Sequence, residues 1–242
     1  MKKFIDLTGK TIVVVGASSG IGEGIALGLN ELGAKVSAIS RRGHSEALQG
    51  REGITQVALD VKDQAGIAEY VKALPEIAYG LVYSAGRTGK SPITTMNDEL
   101  LDDVIDTNYK GFLYFIKELV RNRKIENGGS IVGISSIAAH IGVEGMTPYS
   151  SSKAAMSAAV RVLGRELARR KIRINAISPG MVRTPFFTAD EQDWLNGVAQ
   201  GYPLGLGEVE DVAAAAAFFM SENSHYITGT DLMMTGGCPW MS

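Results

Sequence analysis

The stretch "TIVVVGASSGIGEGIALGLNEL" (11–32) sets a short β-branched run, a glycine-rich turn and a helical pattern in direct succession. β-Branched residues favour extended backbone, and apolar residues at helical spacing follow position 23, so the glycines must turn the chain between the two. The alternation continues. Strand patterns stand at 11–15, 35–40, 55–59, 80–86, 130–135, 172–178 and 230–235, and helical patterns at 23–32, 64–74, 98–123, 149–170 and 209–220. Gly33 ends the first helix. This order predicts an α/β, doubly wound (Rossmann) single domain over 1–242, with about seven parallel strands and helices on both faces. Ligands of such sheets bind beyond the carboxyl ends of the strands.

Composition narrows the function. The 242 residues are 45% hydrophobic, enough for one sizeable core. A formal charge of −2 gives no electrostatic case for nucleic acid. The single cysteine, Cys238, rules out an intrachain disulfide and argues against a thiolate metal site. His44, His140 and His225 are dispersed, so no metal is expected. Asp6 and Lys10 interrupt the apolar start, which therefore does not read as a secretory signal. The apolar stretch at 212–220 is far short of a membrane span. A soluble, cytoplasmic protein with no membrane partner is expected.

The turn itself carries chemistry. Gly16, Gly20 and Gly22, with Ser18, Ser19 and Ile21 between them, let the backbone approach a phosphate closely, and the free N–H groups of the new helix suit a pyrophosphate. A dinucleotide site usually places an acid after the second strand to hold a ribose 2′-hydroxyl. Here that point reads "SRRG", with Arg41 and Arg42 and no carboxylate. Guanidinium forks match phosphate oxygens, including a 2′-phosphate, so NADP(H) is favoured. A solvated basic turn is the bland alternative.

"TPYSSSKAAM" (147–156) places Tyr149 one helical turn before Lys153. Residues four apart share a helix face, and an ammonium beside a phenol favours the phenolate. The phenol could then donate a proton to the alkoxide that forms when hydride reaches a carbonyl. Ser136, thirteen residues earlier, follows a strand and could hold the carbonyl oxygen, with Ser135 as its rival. Ser150, Ser151 and Ser152 read as spacers.

These residues occur together with Asp60-Val61, Ala85-Gly86, Asn108, Pro179-Gly180, Thr184 and "GTDLMMTGG" (229–237). In this order and spacing the sequence resembles the short-chain dehydrogenase/reductase family over almost its whole length. The resemblance implies that Tyr149 is the acid/base, that Lys153 tunes it and holds the nicotinamide ribose, and that Ser136 binds the substrate oxygen. It also implies that Asn108 anchors a proton-relay water at a distorted point in its helix, near Gly111. Asp60 and Val61 would flank the adenine, Ala85 and Gly86 would line the cofactor cleft, and Val182 and Thr184 would meet the nicotinamide after the Pro179-Gly180 turn.

Likeness to β-ketoacyl carrier-protein reductases implies reduction of a ketone to a secondary alcohol, with a carrier-bound thioester or another small carbonyl compound as substrate. A sugar, polyol or steroid alcohol stays open, as does a non-catalytic NADP-sensing scaffold. Arg170 resembles a position where those reductases can carry a carrier-docking arginine. Family members are commonly homotetramers pairing the helices at 98–123 and 149–170. A substrate lid is expected within about 184–205, where Phe186, Phe187, Trp194 and Tyr202 form either an apolar wall or ordinary packing. Arg87, Lys90 and Arg183 could attract an anion to the mouth, or be solvated. Five positions depart from the family pattern: Val15, Tyr79-Gly80 and Tyr83-Ser84.

Overall fold

In strand β1 (Thr11–Val15) every residue after the first is buried, because its two faces feed two separate cores. Ile12 and Val14 pack with Leu7, Ile25, Leu29, Phe219 and Met220 on one side. Val13 and Val15 pack with Ile67, Phe112, Phe115 and Met156 on the other. Side chains alternate across a strand, so a strand covered on both faces must be apolar throughout. The computed structural model describes residues 4–184 and 192–238.

The remaining strands are β2 (Lys35–Ser40), β3 (Ile54–Ala58), β4 (Ala78–Tyr83), β5 (Ile125–Ile134), β6 (Arg173–Pro179) and β7 (Asp231–Met234). All pair in parallel, in the order β3-β2-β1-β4-β5-β6-β7. The helices are α1 (Gly20–Glu31), α2 (Gln64–Ala73), α3 (Asp98–Ile105), α4 (Gly111–Arg121), α5 (Thr147–Leu167), α6 (Gln192–Ala199) and α7 (Val209–Met220). Helices α1 and α7 supply the first core, and α2, α4 and α5 the second. The strand order reverses between β1 and β4, which opens a crevice at their carboxyl ends.

The boundaries shift where tertiary contacts decide them. The chain leaves β4 at Tyr83, and the Ser84 N–H still donates to the Val15 carbonyl at 2.8 Å. β5 begins five residues before the sequence pattern, through a register shift opposite Ala78 and Gly80. The helical stretch at 98–123 is broken by a π-turn, Asp106–Lys110, that contains Asn108. This is the distortion expected there. Phe186 and Phe187 lie outside the described residues, as does the side chain of Trp194.

The departures at the sheet have physical reasons. A methyl group at Gly80 would lie 2.6 Å from Met220 Sδ, so that strand admits no side chain there. Tyr79 Oη meets Glu222 and Arg173, each at 3.3 Å, beneath Lys10 Nζ, which sits 3.4 Å from the ring centroid. Tyr83 is fully buried, and its hydroxyl donates to the Thr107 carbonyl at 2.5 Å, inside the π-turn.

Candidate active site

The glycine turn is packed too tightly for side chains. Gly16 has φ 88°, and a Cβ there would overlap the backbone of Ala85. A Cβ at Gly22 would overlap the Gly16 carbonyl. Ser19, in extended backbone, precedes α1 and makes no side-chain cap, so the first-turn N–H groups stay free for an anion. The loop after β6 folds over the same turn. A Cβ at Gly20 would lie 3.5 Å from the Thr184 side chain, and Val182 bridges Gly207. Gly180 N–H donates to the Met234 carbonyl at 2.8 Å, fixing the Pro179-Gly180 exit to β7. Asp60 Oδ1 accepts from Lys62 N–H at 2.9 Å, while Val61 is buried beside Gly111.

The two arginines after β2 behave differently. Arg42 donates to the Ser18 carbonyl at 3.2 Å and to Ser18 Oγ at 3.1 Å, bracing the glycine turn. Arg41 is exposed and makes no hydrogen bond or ion pair among the described residues. Its charge still reaches Lys62 and Asp103. Lys62 and Arg87 both pair with Asp103, at 2.8 and 2.6 Å. The Lys62 hydrogen bond holds that carboxyl below its usual range.

At the centre, Lys153 is 3% exposed and its Nζ donates to the Ile134 carbonyl at 2.7 Å. Burial pushes its pKa down to about 8. Tyr149 lies on the same face of α5, with Lys153 Nζ 5.8 Å from its ring centroid. Burial pushes the phenol's pKa up, and the Ser136 hydroxyl opposes that shift. The expected lowering by Lys153 is therefore absent in the free protein. The lysine's own desolvation works against that lowering, because it disfavours the charged amine that would stabilise the phenolate.

Asn108 is fully buried. Its Oδ1 accepts from Arg87 N–H at 2.7 Å, and its Nδ2 donates to the Arg87 carbonyl at 3.0 Å and to Ser152 Oγ at 2.9 Å. Ser152 Oγ donates in turn to the Tyr149 carbonyl at 2.7 Å. Ser152 is thus no spacer; it ties the π-turn to the helix that carries Tyr149. Its position three residues after Tyr149, on the same helix face, was a usable signal. A Cβ at Gly86 would lie 3.4 Å from Lys153 Nζ and 3.7 Å from Asn108 Oδ1, so the exit from β4 meets both. Ser135 is 3% exposed, and its hydroxyl is taken up by the Lys153 carbonyl and Ser157 Oγ, each at 3.1 Å. Ser136, by contrast, faces the phenol.

Other candidate side chains are engaged elsewhere. Arg183 pairs with Glu208 at 3.3 Å. Arg170 donates to the Ile125 carbonyl at 2.7 Å and to Asn127 Oδ1 at 2.9 Å, bracing the start of β5. Tyr202 is buried with Ile137, Leu206 and Cys238, beyond Ser136. Among the described residues no group of three His, Cys, Asp or Glu side chains could hold a metal ion, and no helix is long and apolar enough to cross a membrane.

Residues 16–239 match a family model described as enoyl-(acyl carrier protein) reductase. A solved short-chain type dehydrogenase/reductase from Mycobacterium ulcerans superposes with a TM-score of 0.88 at 31% identity, covering 96% of this chain and 90% of that one. The chain belongs to the short-chain dehydrogenase/reductase family. It is thereby an oxidoreductase, and its glycine turn and buried lysine fit the nicotinamide cofactor of that family. Among curated short-chain dehydrogenase/reductases, the 3-oxoacyl-acyl-carrier-protein reductase of Rickettsia prowazekii is 34% identical over 239 residues, covering 96% of this chain and 98% of that protein. The acetoacetyl-CoA reductase of a Synechocystis strain is 33% identical over 237 residues, covering 96% and 97%. The aldohexose dehydrogenase of Thermoplasma acidophilum has a TM-score of 0.86 at 27% identity, covering 96% of this chain and 94% of that one.

Proposed function

We propose that this protein is an NADPH-dependent reductase that converts a ketone, foremost a β-ketoacyl thioester, into a secondary alcohol. The observation that carries the reading is the Ser136 hydroxyl set against the Tyr149 phenol, with Lys153 buried behind them. Bound NADPH supplies the hydride. Ser136 and Tyr149 would hold the carbonyl oxygen between two O–H donors, and Tyr149 would release its proton to that oxygen as negative charge develops.

Lys153 has one acceptor, the Ile134 carbonyl, and two further N–H bonds to give. Ribose hydroxyls accepting them would favour the charged amine and raise its depressed pKa. A sustained ammonium then assists the phenol. At 5.8 Å from the ring centroid, and with an effective dielectric near 20, the attraction amounts to about 3 kcal/mol. That is about two pH units, opposite in sign to the effect of burial on the phenol. The lysine's help is thus conditional on the cofactor. Asn108, held by Arg87 and Ser152, would anchor the water that returns a proton to Lys153.

The free Arg41, with Arg42 and Ser18 beside it, is the expected seat of the 2′-phosphate. Reading 1–242 as one domain with its substrate lid in 184–205 is part of the same proposal. So are a homotetramer built on the helices at 98–123 and 149–170, the second with Val162 55% exposed, and a cytoplasmic location. A sugar alcohol dehydrogenase is the second reading, favoured by the aldohexose dehydrogenase likeness. NADPH consumption, followed by absorbance, separates the readings. Acetoacetyl thioester should be reduced and an aldohexose should not be oxidised with NADP. Turnover of a trans-2-enoyl thioester alone, or of no carbonyl compound at all, would overturn the proposal.

A further inference from the structure

Asp231, the first residue of β7, gathers three other segments onto one carboxylate. Its Oδ1 accepts from Ser178 Oγ of β6 at 2.7 Å. Its Oδ2 accepts from Ser157 Oγ of α5 at 2.5 Å and from His140 Nε2 at 3.0 Å. The Asp231 side chain is 11% exposed and that of His140 28%. Ser157, its own proton given to Asp231, accepts in turn from Ser135 Oγ at 3.1 Å, and the Lys153 carbonyl lies at the same distance from that hydroxyl.

Every segment in this network adjoins a residue of the candidate site. Ser135 precedes Ser136, and His140 closes the 3-10 turn Ile137–Ala139 that follows it. Ser157 lies one helical turn beyond Lys153 on the same face. Ser178 precedes the Pro179-Gly180 exit. We propose that His140 and Asp231 form a positioning pair that fixes the Ser136 turn against α5, and so sets the Ser136 hydroxyl at its distance from the Tyr149 phenol. Hydrogen bonds from an imidazole and two hydroxyls to one carboxylate are the strong, charge-assisted kind. The turn after β5 has Ser136 Oγ accepting from Ala138 N–H at 3.2 Å and Ile137 packed with Tyr202, Leu206 and Cys238, but neither contact reaches Ser157 or Asp231, so its link to α5 and β7 needs a further anchor. The imidazole supplies it from the far end of the turn.

The inference rests on the reductase reading for its kinetic arm and not for its spectroscopic arm. The variants are His140→Ala, His140→Gln, whose amide can still donate to Asp231, and Asp231→Asn. With tyrosines labelled at 13Cζ, and the Tyr149 resonance assigned through Tyr149→Phe, His140→Ala should shift the Tyr149 signal while leaving Tyr70 and Tyr83 in place. His140→Gln should restore it. With acetoacetyl thioester as probe, His140→Ala should lower kcat about tenfold, change KM less than twofold and leave NADPH affinity unaltered. Asp231→Asn should reproduce the loss, and His140→Gln should recover most of it. An unmoved Tyr149 resonance in folded His140→Ala overturns the pair whatever the substrate proves to be. So does a Gln variant no better than Ala. A wild-type protein that reduces no ketone, with the resonance shifting as described, overturns the reductase reading and leaves the pair standing.

Discussion

A methyl group on Gly111 would overlap the Tyr83 hydroxyl, so the first residue of α4 and the last of β4 share one space. That hydroxyl donates to Thr107 inside the π-turn. Gly111→Ala should therefore destabilise the protein by about 1–3 kcal/mol, the usual cost of overpacking. Adding Tyr83→Phe, which removes the overlapped oxygen, should recover part of the loss. Val61, with its Cβ 3.0 Å from the same point, keeps the recovery incomplete. Urea unfolding of the two single variants and the double gives the coupling directly, and strict additivity would count against the shared space.

Lys153 makes a pH-dependent contribution to stability. Its folded pKa, about 8, lies below its ordinary 10.5. Between those values the unfolded chain binds more protons, so the free protein should gain stability as pH rises. From pH 8 to 9 the gain should be about 1 kcal/mol, while the tyrosines of the unfolded chain are still largely protonated. Lys153→Met should lack this rise. Denaturant midpoints at the two pH values check it, and parallel curves for the two proteins would contradict it.

Tyr149→Phe should reduce turnover by about a thousandfold or more while NADPH still binds, because only the proton donor is lost. Nicotinamide fluorescence and a stopped assay measure the two separately. Wild-type turnover in this variant would remove the phenol from the mechanism.

Ser152→Ala should leave Asn108 Nδ2 and the Tyr149 carbonyl short of a buried partner. An unpartnered buried polar group costs about 1–3 kcal/mol, so a lower melting temperature is expected together with about a tenfold drop in kcat. An unchanged kcat would mean that Asn108 keeps its place without the serine.

The two arginines should separate by cofactor. Arg41→Ala should weaken NADPH at least tenfold and NADH hardly at all, since its guanidinium is free for the 2′-phosphate. Arg42→Ala should weaken both, because it also props Ser18. Equal losses for both cofactors with Arg41→Ala would argue against the phosphate role.

Much of this protein was legible in its residues. Strands β1 and β2 and helix α7 fall where β-branched and apolar spacing put them, because these patterns are local. The glycine turn and Tyr149 beside Lys153 were legible for the same reason, since each depends on few neighbours in the chain, whereas Asn108 in a distorted helix was legible only through the family resemblance. The partition of Arg41 and Arg42 was not, since it hangs on where Ser18 lands. Nor was the work of Ser152, which looked like a spacer until Asn108, 44 residues away, was placed against it.

The sequence by itself determined a parallel α/β sheet, a phosphate-suited turn and a phenol one helical turn from an amine. Only the tertiary structure decided how strongly that amine holds its proton. Sequence spacing makes Lys153 an ammonium that acidifies its neighbour. Packing buries it against the Ile134 carbonyl and pulls it towards neutrality instead. Ionisation follows solvation, and solvation belongs to the assembled fold rather than to the order of residues.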